Sequence, residues 1–175
     1  VIDFVSKALT CAELCVQRKI QGWIFQSIHR NSMIRKACSD TDANSIHEIG
    51  LSLFDKPYSL FQILHEFSLA YSLVLVSFHQ NIITGYLIGR TLSDEAEILQ
   101  VAVKKEFQKR GSGFDLVQQF CAMAKNQKCL RVFLEVSTQN SIAIALYQRC
   151  DFQKQYIRKQ YYHSGDDALI MEKIL

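Results

Sequence analysis

The sequence has one proline and seven glycines in 175 residues, too few breakers for a collagen-like, low-complexity or linker-rich chain. It has no apolar run of the roughly 18 to 20 residues that a membrane span requires, so no membrane partner is expected. Its six cysteines, at positions 11, 15, 38, 121, 129 and 150, contain no C-x-x-C pair. Without ligand spacing no metal site is expected, and a chain of this size does not need disulfide staples. Reduced thiols in a cytoplasmic protein are therefore the expectation. Strong charge is also missing: the formal net charge is +3, and the basic residues are scattered apart from 104–110. That argues against a direct nucleic-acid partner and for one local anion site. With 49% hydrophobic and 21% charged residues, what remains is one globular domain with a sizeable core.

The stretch 98–127 organises the chain. Ile98-Leu99-Gln100-Val101-Ala102-Val103 is a nearly continuous apolar run of strand length that stops at Lys104-Lys105-Glu106, as a buried strand does on reaching the surface. A polar turn, Gln108-Lys109-Arg110-Gly111-Ser112-Gly113, follows. Beyond it Phe114, Val117, Phe120, Cys121 and Ala124 recur at helical spacing, with Asp115, Gln118, Gln119 and Lys125 largely off that face. A strand thus enters a helix through Gly-x-Gly, where the free N–H groups of the first turn suit a phosphate. Gly-Ser-Gly is also a common plain turn. A nucleotide P-loop is excluded because Phe114 and Asp115 stand where Lys and Ser/Thr are needed, and a dinucleotide fingerprint because Leu116 stands where a third glycine is needed.

The chain before this stretch reads as helices followed by a meander. Residues 1–32 carry a mostly helical pattern, and position 1 is not methionine, whereas Met33 directly precedes a short apolar strand at 34–36. The expected organisation is an N-terminal helical extension, 1–32, and a functional domain, 33–175. Ser39 or Asp40 caps a helix that Ile46, Ile49, Leu51 and Leu53 carry to about Phe54. Ser59-Leu60-Phe61-Gln62 is a capping box, with Tyr58 and Ile63 placed as its hydrophobic staple. Strands at 73–78 and 82–89 then lead into the central strand as an antiparallel meander. After the 114–127 helix come a strand at 130–136, a helix over 141–149 capped by Asn140, and strands over 153–162 and 168–174. The order β-α-α-β-β-β-α-β-α-β-β is α/β with a mixed central sheet flanked by helices.

Gln-x-x-Gly-x-Gly after an apolar strand resembles the acetyl-coenzyme A pyrophosphate loop of the GNAT N-acetyltransferase superfamily. Leu134-Glu135-Val136, Asn140, Ala145-Leu146-Tyr147, Phe152, Arg158, Tyr161-Tyr162 and 167–171 stand in the order and spacing of its ribosomal-protein alanine N-acetyltransferase branch. The resemblance covers 33–175 and implies the GNAT fold, acetyl-coenzyme A as co-substrate without a metal, and transfer to a protein N-terminal α-amine, by the branch's name a ribosomal protein's N-terminal alanine. It implies Glu135 as general base and Tyr147 as general acid. It places the cofactor on the strand backbone at Val101, Ala102 and Val103, on the loop Lys109, Arg110, Gly111, Ser112, Gly113 and Phe114, and on Asn140. It also implies that Tyr58, Tyr161 and Tyr162 frame the acceptor peptide. A lysine side chain or small amine is the alternative acceptor, and a non-catalytic binding module the alternative of another class.

The chemistry fits these residue types. An α-amine has a pKa of about 7.7 to 8.0, so a carboxylate can relieve it of a proton near neutrality. A backbone N–H at Val103 can stabilise oxyanion charge if the sheet splays open there. A departing thiolate gains from a tyrosine hydroxyl. Four residues depart from the family pattern: Phe114 and Asp115 follow the second loop glycine where a basic or small residue is usual, Asp115 favouring the helix dipole but repelling pyrophosphate; Asp151 replaces a glycine where a left-handed backbone is expected; and Tyr58 stands where tryptophan is frequent.

Overall fold

The computed structural model describes residues 25–26, by backbone alone, 33–162 and 164–175. An eight-stranded sheet runs in the order β1-β2-β3-β4-β5-β6-β8-β7. Its strands are β1 (Phe25–Gln26), β2 (Met33–Lys36), β3 (Ser72–His79), β4 (Ile82–Leu92), β5 (Glu95–Val103), β6 (Arg131–Ser137), β7 (Gln153–Arg158) and β8 (Ala168–Ile174). The helices are α1 (Asp40–Leu53), α2 (Leu60–Ser68), α3 (Ser112–Asn126) and α4 (Ser141–Arg149). Every strand pair is antiparallel except β5–β6. From Met33 onward the element order is the one the sequence pattern implies.

Alternation along the strands divides the core in two. Leu73, Leu75, Leu87, Ile98, Val132, Leu134 and Met171 face α3 and α4, and meet Val117, Phe120 and Tyr147. Val74, Val76, Tyr86, Ile88 and Ala102 face α1 and α2, and meet Ile46, Ile49 and Ile63. Each large side chain so buried stabilises the fold by about 1.5–3 kcal/mol. At Gly89 an added Cβ would lie 2.4 Å from Phe120 and 2.7 Å from the Glu97 carbonyl oxygen. The missing side chain is what lets the Phe120 ring settle on the sheet.

Local signals act as their chemistry requires. Ser39 caps α1 through the Asp42 amide, and Ser59 and Gln62 form the reciprocal capping box of α2. Two acids lie buried on these helices with charged partners. Asp42 receives both guanidinium nitrogens of Arg35 at 2.7 and 2.8 Å, and Glu66 is held by Arg90 and by the Ser72 hydroxyl at 2.8 Å. Burial would raise both carboxyls, yet the hydrogen bonds win and hold them below the usual carboxylate range.

Four expectations differ from the structure. Apart from Phe25–Gln26, the helical pattern over 1–32 falls outside the described residues; those two form a short antiparallel strand that covers the edge of β2. Leu51 is 59% exposed, because it lies off the stripe that buries Ile46 and Ile49. β7 stops at Arg158 rather than Tyr162. Gln160 takes a left-handed turn, its N–H donating to Asp167 at 2.9 Å, with Lys159 on the same carboxylate at 2.7 Å. Cys38 is disulfide-bonded, against the expectation of reduced thiols there, while Cys121, Cys129 and Cys150 are free and buried.

Candidate active site

The site follows from how β5 leaves its neighbours. Its parallel pairing with β6 runs from Glu95↔Arg131 to Ile98↔Leu134 and stops. Towards β4 the ladder continues to Gly85↔Val103, with a register shift after Ile88, so Leu99 stands as an extra residue that bends the strand. Beyond it β6 pairs only with β8, Glu135 opposite Ile170. A wedge opens between the two central strands.

Alternation decides which groups line that wedge. The Lys104 N–H donates to the Thr84 carbonyl on β4 at 2.9 Å, so the backbone groups of Val103 and Val101 point to the opposite, unpaired edge. The Val103 carbonyl takes the Gln108 side-chain amide at 2.9 Å, which ties the following loop to the strand end. No strand among the described residues pairs with the N–H groups of Val101 and Val103 on that edge, and Ala102, whose backbone turns to β4, sets their spacing.

The loop after β5 completes a cradle. A 3-10 turn, Lys105–Phe107, leads into it, and both Lys109 (φ 58°) and Gly111 (φ 96°) are left-handed. Gly111 is the N-cap of α3, and no side chain among the described residues caps that end, so the first-turn amides of Ser112 and Gly113 are not capped from within the helix. A Cβ on Gly113 would sit 3.3 Å from Leu146 Cδ2 and 3.8 Å from Val103 Cγ2, which places this turn against both the wedge and α4. The Arg110 guanidinium lies over the Phe107 ring at 5.3 Å, and Arg149 over Phe114 at 5.6 Å. Asn140 caps α4, its Oδ1 accepting from the Ala143 amide at 3.0 Å.

Two ionisable side chains lie on opposite faces of the sheet. Tyr147 lies on the α3–α4 side, buried and tilted against Phe152 at 5.9 Å. Burial, with Cys150 and Tyr162 adding, pushes its hydroxyl well above a phenol's ordinary pKa, so it keeps its proton near neutrality. Glu135 alternates with Leu134 and Val136 and therefore faces the α1–α2 side, where Arg158 from β7 pairs with it. Arg158 also lies over the rings of Tyr156 and Tyr161, each at 5.8 Å. Glu135 raises the pKa of the Tyr161 hydroxyl by hydrogen bonding, and burial followed by the Glu135 charge raises that of Tyr162. The Tyr161 and Tyr162 rings meet edge to face at 5.3 Å. Tyr58 stands half-buried where α2 begins, with His47 Nδ1 bonded to its carbonyl at 2.9 Å.

One group at this mouth carries no motif. Glu97 on β5 sits opposite Phe133 in the β5–β6 register, on the same sheet face as Glu135. Burial first and the Glu135 charge second raise its pKa, with Arg90 and Arg158 opposing. Its only signal in sequence is the alternation Glu95-Ala96-Glu97-Ile98, which assigns a face but not a neighbour. Cys150 is no nucleophile: burial pushes its thiol up to about 12.

The profile of the acetyltransferase (GNAT) family matches residues 43–152. The chain belongs to this family. Among similar proteins of the GNAT family, one from Bacillus subtilis strain 168, provisionally named a ribosomal protein bS18-alanine N-acetyltransferase, is 32% identical over 132 residues. The match covers 74% of this chain and 87% of that one. An N-alpha-acetyltransferase of Saccharolobus solfataricus is 29% identical over 133 residues, covering 68% and 78%. The crystal structure of the ribosomal-protein-S18-alanine N-acetyltransferase from Escherichia coli superposes with a TM-score of 0.74 at 25% identity, covering 82% of this chain and 93% of that one. The fold is thus the GNAT fold and the chain is an N-acetyltransferase. No helix among the described residues is long and apolar enough to cross a membrane.

Proposed function

We propose that this GNAT enzyme moves an acetyl group from acetyl-coenzyme A directly to the N-terminal α-amine of a protein. The names of its relatives favour a ribosomal protein beginning with alanine. The observation that supports the reading is that Glu135 and Tyr147 belong to opposite faces of the sheet in which β5 and β6 part after Ile98. The donor set fits the co-substrate. The amides of Ser112 and Gly113 at the start of α3, with Lys109 and Arg110 beside them, suit a pyrophosphate, and Val101 and Val103 offer N–H groups at strand spacing to an amide-bearing arm. When bound, acetyl-coenzyme A supplies an activated acyl group on a thiolate leaving group.

Glu135 takes the acceptor's proton, directly or through water, after the incoming ammonium displaces Arg158 from its carboxylate. The Val103 N–H receives the negative charge that builds on the carbonyl oxygen during attack. Tyr147, protonated at neutral pH, gives its proton to the departing sulfur. Tyr58, Tyr161 and Tyr162 wall the acceptor side, and Asn140 holds the helix end nearest the arm. Residues 33–175 form the catalytic unit, and residues 1–32 lie outside the proposed chemistry.

Incubation with acetyl-coenzyme A and a panel of free N-terminal peptides, lysine peptides and polyamines, read by mass spectrometry with fragmentation, tests this. Acetyl on the α-amine of an alanine peptide is expected. Acetyl confined to lysine side chains or polyamines would replace the acceptor, and coenzyme A binding without transfer to any amine would replace the enzyme reading by that of a binding module.

A further inference from the structure

Gln100 is the polar residue in the apolar run of β5, and the two ends of its amide are differently engaged. Its Oε1 accepts from the Tyr86 hydroxyl at 2.6 Å, while its Nε2 has no hydrogen bond to any described residue. Among the described residues no buried side-chain nitrogen or oxygen lacks a partner, so that nitrogen opens to solvent. Tyr86 is a firm anchor. Its ring is buried on the α1–α2 side, and an added Cβ on Gly50 would lie 3.2 Å from its hydroxyl oxygen and 3.3 Å from Pro57 Cβ. Burial, with Tyr58 adding, pushes the pKa of that hydroxyl up, so it keeps its proton and donates. Bonded in this way, the Gln100 amide presents its NH2 group to whatever comes next. The register sets where that group points. Gln100 is paired with Ile88 on β4, and its oxygen turns to the β4 side, to Tyr86. The nitrogen of a planar amide then turns the other way, to the edge of β5 that β6 has left after Ile98↔Leu134. Glu135 follows the last paired residue of β6 directly, on the same sheet face. A neutral donor and a carboxylate thus face the same acceptor mouth.

From the anchored oxygen, the open nitrogen and the face shared with Glu135, we propose that Gln100 determines acceptor specificity by donating from Nε2 to the carbonyl oxygen of the acceptor's first residue. Tyr86 is the positioning residue that holds this donor outward. The chemistry of the acceptors makes the contact selective. A polypeptide α-amine has a carbonyl on the very next carbon after its own, whereas the amine of a lysine side chain is separated from its carbonyl by the whole side chain, and a polyamine has none. With the amine at Glu135, only the first of these brings an acceptor oxygen to Gln100. The others leave the donor unmatched in a site that bound acceptor has closed to water, which is how a polar site rejects an analogue lacking its partner. Gln100 makes and breaks no covalent bond. This inference rests on the proposed α-amine acetylation and names the group that reads the acceptor.

The test is a cycle between protein and substrate. The full chain, Gln100→Met, Gln100→Glu and Tyr86→Phe are each given a free alanine-terminated peptide and the same peptide with its first peptide bond replaced by an (E)-alkene. The alkene keeps the shape and the amine and removes the carbonyl oxygen. With saturating acetyl-coenzyme A, the wild type should show a kcat/KM about tenfold higher on the peptide than on the alkene. Gln100→Met keeps the length without the donor and should lose that preference. Gln100→Glu, which keeps an acceptor for Tyr86, should lose it too, and reads the same quantity should the methionine variant not fold. Tyr86→Phe, with the donor present but not held, should retain part of it. Differences in amine basicity between the two substrates, and any general loss of activity in a variant, cancel in the ratio, so a merely structural role would leave the preference intact. A preference as large in Gln100→Met or Gln100→Glu as in the wild type, or a wild type with no preference, overturns the role of Gln100 while α-amine acetylation stands. A wild-type protein that acetylates no α-amine removes that reading and Gln100's role with it.

Discussion

The lower and upper halves of β5 are parts of one strand in different conditions. From Glu95 to Ile98 it is paired on both edges, to β4 and to β6, and its inward residues Ala96 and Ile98 are core. From Leu99 to Val103 it is paired to β4 alone. The first half spends its backbone on the fold, and the second leaves two donors without a strand partner among the described residues. What separates them is a single bulged residue, Leu99, combined with the departure of β6 towards β8. A site here needs no strained core. It needs only that a parallel partner stop early.

Glu135→Gln, on the neighbouring strand β6, attacks the chemistry proposed beside the upper half, with the largest expected effect. Turnover on an α-amine peptide should fall by about 100 to 10,000 times, with partial recovery at high pH as free amine accumulates, while coenzyme A affinity holds. Steady-state kinetics across pH with saturating acetyl-coenzyme A checks this. Wild-type turnover would remove Glu135 from the chemistry.

Gly113→Val should sharpen the contrast from the cofactor side. Its branched side chain enters the space between Leu146 and Val103, so the dissociation constant for coenzyme A should rise at least about tenfold, some 1.4 kcal/mol. Because the nearest atom is the flexible end of Leu146, the melting temperature without ligand should change little. The wild type, at about 100 times its dissociation constant, should gain roughly 2.7 kcal/mol of stability from the ligand. Gly111 is the poorer probe, since its left-handed backbone would add strain whatever the ligand does.

Gly89→Ala attacks the lower half instead. Its Cβ collides with Phe120 and the Glu97 carbonyl, so urea unfolding should show a loss of about 1–3 kcal/mol. The remaining folded protein should still bind coenzyme A. If this variant lost affinity without losing stability, the two halves would not be separable.

How much of this was legible in sequence follows the same division. Order and type of the elements were readable because local chemistry fixes them: the Ser59–Gln62 capping box, the Asn140 cap, the helical stripe from Phe114 to Ala124, and the left-handed residue at Asp151 (φ 69°). The loop glycines and the residues around Glu135 could be read as a site because their spacing is local or their series specific. The wedge was not readable. Period-two alternation tells which face a side chain takes, but not where a partner strand stops, so the two free amides, the bond from Gln108 to Val103 and the place of Glu97 beside Glu135 emerge only in three dimensions. The Arg158–Glu135 pair was hidden for the same reason, since it joins residues on strands β7 and β6 that lie on either side of β8.

The most direct measurement is residue-resolved amide hydrogen exchange of β5 with and without saturating coenzyme A. The account predicts that without ligand the Val101 and Val103 amides exchange fast beside a protected Ala102, and that ligand slows both sharply, together with the first amides of α3. Val101 and Val103 amides that are already as protected as Ala102 without ligand, or that still exchange fast with it, would contradict the open edge as the seat of the cofactor.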